Sequence, residues 1–200
     1  MSYGLLQKFE DFCPIDDNNA LIAHGINYTN LNEIRQVTYS IGKKNIVEIE
    51  IGKILVEGNY LRLGNIFEGK LFFSEGYKIY TLEIETGKKN EYGVGIQPYG
   101  YSNGIVYQKN SCIYHNNERV IIPHGDYEVV GRPTIHKNKI YYETRAEPAP
   151  LGWEIWVFDM DSKEKIKLKE GGANPFVYND KLFFSKWIES EFKTLCEELK

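Results

Sequence analysis

Lys70-Leu71-Phe72-Phe73-Ser74 returns letter for letter as Lys181-Leu182-Phe183-Phe184-Ser185. Two paraphrases stand between them, Gly104-Ile105-Val106-Tyr107-Gln108 and Lys139-Ile140-Tyr141-Tyr142-Glu143, and a fainter copy, Ile34-Arg35-Gln36-Val37-Thr38-Tyr39, precedes them. Each run is rich in aromatic and β-branched residues, which suit a strand. Gly69 to Gly104 and Gly104 to Lys139 are each 35 positions, and Ile34 lies 35 before Gly69. Lys139 to Lys181 is 42, lengthened by an insertion from Thr144 to Gly152. A recurrence at this spacing is one supersecondary unit copied in space, slightly shorter than the ~40–45 residues of the best-known propeller blades.

Around each repeated run the sequence reads as four short strands, a to d, the run itself being b. Strand a carries a proline: Gln97-Pro98-Tyr99-Gly100-Tyr101, Arg132-Pro133-Thr134-Ile135-His136, Asn174-Pro175-Phe176-Val177-Tyr178. Proline is tolerated at a strand's first residue, so strand a is expected to begin there. Asn103-Gly104, Lys137-Asn138 and Asn179-Asp180 supply the a–b turns. Strand c follows at 44–50, 77–83 and 154–159, the first two alternating apolar and polar as half-buried strands do. Strand d is expected at 53–56, 119–122 and 165–168.

The reading is therefore an all-β chain, a compact β-propeller of about five three- to four-stranded blades in a single domain over 1–200. The blades fall near 29–60, 61–95, 96–127, 128–172 and 173–200. The last lacks a fourth strand, while Asn19-Ala20-Leu21-Ile22-Ala23-His24 reads as a strand with no neighbour of its own. The expectation is that 19–27 completes the last blade and closes the ring, removing an exposed edge. Leu5, Leu6, Phe9 and Phe12 fit one face of a short helix. Phe192, Leu195, Cys196 and Leu199 fit helical spacing after Ser190, although the repeat places a strand c there.

The chain has 200 residues, 42% hydrophobic and 14% aromatic, enough for a packed core. A net charge of −4 argues against a nucleic-acid footprint. No run of about 18 apolar residues points to a membrane span. Cys13, Cys112 and Cys196 form no framework, which fits a reducing, cytoplasmic compartment. The N-terminus lacks the charged-then-apolar pattern of a signal peptide.

The motifs that suggest chemistry have plainer explanations. Gly100-Tyr101-Ser102-Asn103-Gly104 spells G-x-S-x-G, but a strand follows it where a nucleophile elbow needs a helix. Asp159-Met160-Asp161 lacks the glycine and distal glutamate of a calcium loop. Gly93-Val94-Gly95 is too short to cradle a phosphate. His24, His115, His124 and His136 show no ligand spacing. No metal or cofactor is expected.

Leu71-Phe72-Phe73, Ile79-Tyr80-Thr81-Leu82 and the turn Glu85-Thr86-Gly87-Lys88 resemble the blade pattern of TolB-like and low-density-lipoprotein-receptor-like propellers, over roughly residues 29–185. A second likeness, in Gly131-Arg132-Pro133-Thr134-Ile135 with Lys139 to Glu143, is to the five-bladed glycan-active propellers of the arabinanase and levansucrase kind. The first resemblance implies fold and leaves activity open. The second implies a glycan-processing hydrolase with Glu143 and Asp126 as its carboxylates. Propellers collect ligands on the face bearing the b–c loops and the connections between blades. Here the longest b–c loop, 144–153, carries Arg145 and Trp153, and the same face is expected to receive Arg62, Tyr99, His124, Asp126, Arg132, Asn174 and Trp187. Aromatic platforms mixed with cations suit a sugar or a small anion. The expected function is non-catalytic recognition of a small polar ligand or a protein partner, with the hydrolase and a structural interaction module as alternatives.

Overall fold

The computed structural model describes residues 11–16, 18–27, 30–41, 46–123, 129–145, 152–188 and 191–199. They form nineteen strands in five antiparallel sheets. The first sheet holds β1 (Asp11–Pro14), β2 (Asn19–Asn27), β3 (Asn30–Ile41) and β4 (Ile46–Glu57). The second holds β5 (Leu61–Phe67), β6 (Lys70–Glu75), β7 (Lys78–Glu83) and β8 (Lys89–Val94). The third holds β9 (Ile96–Tyr101), β10 (Gly104–Lys109), β11 (Cys112–His115) and β12 (Glu118–Ile121). The fourth holds β13 (Val129–His136), β14 (Lys139–Arg145), β15 (Trp153–Asp159) and β16 (Lys165–Glu170). The fifth has three strands, β17 (Gly172–Tyr178), β18 (Lys181–Ile188) and β19 (Glu191–Glu198). Every sheet is a meander in chain order, an all-β, five-bladed β-propeller arrangement. The chain divides into two compact units, Met1–Ser102 and Asn103–Lys200.

Hairpin chemistry explains the meanders. Two-residue turns with both residues at positive φ match the twist of the strands they join. Glu68-Gly69, Asn110-Ser111, Asn116-Asn117, Lys137-Asn138 and Asn179-Asp180 all adopt that conformation. The repeated b run is β6, β10, β14 or β18, and its apolar positions Leu71, Phe73, Ile105, Ile140, Leu182 and Phe184 are buried. In the second unit Tyr141, Ile155, Val157, Val177, Leu182 and Phe184 pack into one apolar cluster, with Leu168, Leu195 and Leu199 against it.

A bulge recurs in strand a. Leu63 pairs Phe73 and Ile66 pairs Leu71, so two residues of β5 stand against one of β6. The same step separates Gly131 from Thr134 in β13 and Ala173 from Phe176 in β17. Pro133 and Pro175 occupy it, where the ladder is interrupted and the missing N–H costs nothing. The prolines therefore mark a bulge inside strand a and not its first residue.

Three expectations change. Strand 19–27 does not complete the last blade: β2 lies inside the first sheet, paired with β1 on one side and β3 on the other. Ala20, Leu21, Ile22 and Ala23 are all buried, and such a run without alternation belongs to a strand covered on both faces. Strands c and d of the first repeat are one strand, β4; the break between the two expected strands, at 51–52, is a bulge opposite Gln36, where a Cβ on Gly52 would come within 2.7 Å of the Gln36 carbonyl oxygen. Of the two readings open for the C-terminal run, the strand implied by the repeat is the one seen: residues 191–198 are β19. Phe12 lies in strand β1, whereas Leu5, Leu6 and Phe9 lie outside the described residues.

Candidate functional site

The fifth position of the repeated run is polar: Ser74, Gln108, Glu143 and Ser185. Ser74, Gln108 and Glu143 are buried, so each needs a partner inside the protein. Each meets the first strand of the following sheet. The Gln97 backbone N–H donates to Ser74 Oγ at 3.4 Å. Gln108 Oε1 lies where a Cβ on Gly131 would come within 2.7 Å, so the close approach favours glycine at 131. The Asn174 N–H donates to Glu143 Oε2 at 2.7 Å. Gln97, Arg132 and Asn174, each preceding a proline, hold φ of 51°, 48° and 53°. For non-glycine residues that conformation costs on the order of 1–3 kcal/mol and persists only where surroundings over-determine it.

Glu143 is the charged member of this series, and a constellation forms around it. Gly131 is its register partner, which brings the neighbouring Arg132 close. Arg132 Nε lies 3.6 Å from Glu143 Oε1. Arg145, two residues along the same strand and on the same face, donates from Nε and Nη2 to Oε1, each at 2.7 Å. Both carboxylate oxygens are thus held by donors, and the Glu143 side chain is only 3% exposed. The Arg145 guanidinium, 35% exposed, lies over the ring of Trp153 with its central carbon 4.4 Å from the centroid. Arg145 and Trp153 are the last register pair of the β14–β15 hairpin, so strand pairing itself sets the stack. Asn174 Nδ2 donates to Ser185 Oγ at 3.2 Å. Two guanidiniums thus face one carboxylate, and at least one is fixed by bonding and stacking together.

Of the residues expected on the loop face, Arg132, Arg145, Trp153 and Asn174 come together, joined by Glu143. Trp187 belongs to the same unit, 39% exposed on β18 and opposite Phe192 in register. Arg62 on β5 pairs in register with Ser74, and Tyr99 is half-buried on β9. His124 and Asp126 lie outside the described residues. Sequence reasoning missed Ser74, Gln108 and Ser185; the signal was a polar residue ending every copy of the repeated run.

The other motifs resolve into turn chemistry. Ser102 is an exposed turn residue, and a Cβ on Gly104 would overlap the Asn116 amide, which bonds the Ile105 N–H and the Asn103 carbonyl. Asp159 Oδ1 accepts from the Ser162 and Asp161 N–H groups, and those bonds pull its carboxyl below the usual range. Burial pushes the His115 imidazole down. Among the described residues no group of three His, Cys, Asp or Glu is placed to hold a metal ion.

No family model matches the chain, and no curated protein does. Among solved structures it is similar to one described as "Structure of RS223-Beta-xylosidase", with a TM-score of 0.53 and 9% identity, over 100% of this chain and 95% of that one. At that identity the likeness concerns the fold alone: it supports a five-bladed β-propeller and assigns the chain to no particular propeller family.

Proposed function

We propose that the second unit recognises a small anion through Arg132, Arg145, Trp153 and Asn174. The observation that carries this is the double anchoring of Arg145, bonded to a buried Glu143 on one side and stacked on Trp153 on the other. An arginine side chain gives up roughly 2 kcal/mol of rotamer entropy when immobilised. Here the fold has already ordered it, so a ligand meets a preorganised fork. A delocalised guanidinium held in place suits an anion better than a neutral sugar. A planar fork also matches carboxylate geometry.

The alternative is a hydrolase using Glu143 and Asp126. The buried carboxylate and the fold likeness to a β-xylosidase favour it. Yet a general acid must reach the leaving oxygen with a proton to give, and Glu143 faces donors on both oxygens. The binding reading accounts for those donors.

Calorimetric titration with citrate, glucuronate and inorganic phosphate, against xylose as the neutral comparator, tests the proposal. Saturable binding of at least one anion is expected, weakened about tenfold or more by Arg145→Ala, equivalent to ~1.4 kcal/mol. Binding of xylose alone, or an Arg145→Ala protein of unchanged affinity, overturns it. Cleavage of an aryl β-xyloside that disappears in Glu143→Gln would establish the hydrolase instead.

A further inference from the structure

Asn174 carries an unmet acceptor beside Glu143. Its backbone N–H donates to Glu143 Oε2 at 2.7 Å, and its side-chain Nδ2 donates to Ser185 Oγ at 3.2 Å. Its side-chain Oδ1 is buried and accepts no hydrogen bond among the described residues. A buried acceptor without a partner destabilises a fold, so folded chains keep few of them and each calls for a reason.

Arg145 has unused capacity as well. Its bonds to Glu143 Oε1 engage Nε–H and one N–H of Nη2, and the Trp153 ring covers one face of the guanidinium. The outer edge remains, where Nη1 and Nη2 each present an N–H in one plane. Among the described residues nothing else bonds Arg145, and its side chain is 35% exposed. Two parallel in-plane donors match the two oxygens of a carboxylate.

Glu143 holds Asn174 through one oxygen and Arg145 through the other, so the unmet acceptor and the open edge border the same carboxylate. A ligand that satisfies both needs a carboxylate for Arg145 and, close to it, a hydrogen to give to Asn174 Oδ1. We propose that the anion recognised at this site is a hydroxycarboxylate, its carboxylate on the outer edge of Arg145 and its hydroxyl donating to Asn174 Oδ1. The assignment rests on Arg145 as the anion-binding group and adds the class of ligand. An amino acid is the poorer fit. Its ammonium needs several acceptors, and both oxygens of Glu143 already face donors. A hydroxyl needs one. Because the fold has already taken Oδ1 out of water, an analogue lacking the hydroxyl leaves that oxygen unpaired and is discriminated against.

Calorimetric titrations with lactate, propionate and alanine, and with citrate against tricarballylate, which lacks only the hydroxyl of citrate, test the proposal. Lactate should bind about fivefold or more tighter than propionate, and citrate than tricarballylate, as one added hydrogen bond implies. Asn174→Gly removes the amide, keeps the N–H on Glu143 and suits a φ of 53°. In that variant the members of each pair should converge to within about twofold. Arg145→Ala should weaken both members alike. Equal affinities within each pair, both weakened by Arg145→Ala, overturn the proposal and leave the anion reading standing. A preference for alanine over lactate also overturns it, as does a hydroxyl preference that survives Asn174→Gly. No Arg145-dependent binding of these acids or of phosphate removes the anion reading and the proposal together. If Asn174→Gly does not fold, the side-chain amide signals of Asn174 in the parent chain decide. They should shift with citrate and not with tricarballylate, and identical responses overturn the assignment.

Discussion

Glu143→Ala is the perturbation with the most predictable cost. The substitution strips the Asn174 N–H of its acceptor at 2.7 Å in a buried setting, which costs on the order of 1–3 kcal/mol. It also removes the counter-charge of Arg145. A fully buried pair loses ~3–5 kcal/mol when one partner goes, but Arg145 is 35% exposed, so water screens this pair and its share is nearer ~1 kcal/mol. The void left by the carboxyl arm adds roughly 1 kcal/mol. The expected loss is therefore about 3–5 kcal/mol, a fall in melting temperature on the order of 6–20 °C for a chain of this length. Glu143→Gln keeps the volume and one acceptor oxygen and loses only the charge, so about 1–2 kcal/mol is expected. Urea titration of the three proteins gives the ranking. An alanine variant within ~0.5 kcal/mol of the parent, or a glutamine variant as costly as alanine, would refute Glu143 as the anchor of Arg145 and Asn174.

Other perturbations act elsewhere. Asn65 exchanges two 2.8 Å bonds with the Gly100 backbone, donating to its carbonyl and accepting from its N–H; Asn65→Ala should cost about 2–4 kcal/mol by leaving both groups buried and unmet, read from the urea midpoint. Gly64→Ala would place a Cβ 2.0 Å from the Pro98 oxygen and 2.5 Å from the Phe72 oxygen, so the first unit should not fold natively, visible as lost near-ultraviolet dichroism. Hydrogen bonds from Lys137 and then His136 hold the Asp180 carboxyl below its ordinary value of 3.8. A group depressed in the folded state stabilises above its unfolded value and loses that contribution as pH falls through the lower, folded one. Asp180→Asn should therefore flatten the decline of melting temperature below pH 4, and an unchanged acid limb would count against the His136–Asp180–Lys137 contact.

Sequence alone revealed the meanders wherever the chemistry was local. The b runs, the Lys137-Asn138 and Asn179-Asp180 turns and the strand at Lys78–Glu83 depend on alternation and on residues that accept positive φ. What escaped depends on register. The break at 51–52 reads either way because glycine serves turns and bulges equally; only the approach of Gln36 decides between them. Ala20 to Ala23 look unpartnered because a strand covered on both faces carries no alternation to say which sheet it joins. Near the candidate site, Arg145 and Trp153 were legible as neighbours flanking one loop. Arg132 and Asn174 were legible as equivalent positions before prolines. Their convergence on Glu143 was not, because it arises at two bulges, one after Gly131, the register partner of Glu143, and one after Ala173, where the Asn174 N–H meets the preceding sheet.

The central claim is that Arg145, fixed between Glu143 and Trp153, is the group a ligand meets. Proton–nitrogen correlation spectra recorded while citrate is added test it most directly, by following the Arg145 Nε–H and Trp153 indole N–H signals. The account predicts that both shift together and saturate, with the Asn174 amide following them. Shifts confined to other residues, or none with citrate, glucuronate and phosphate alike, would contradict it.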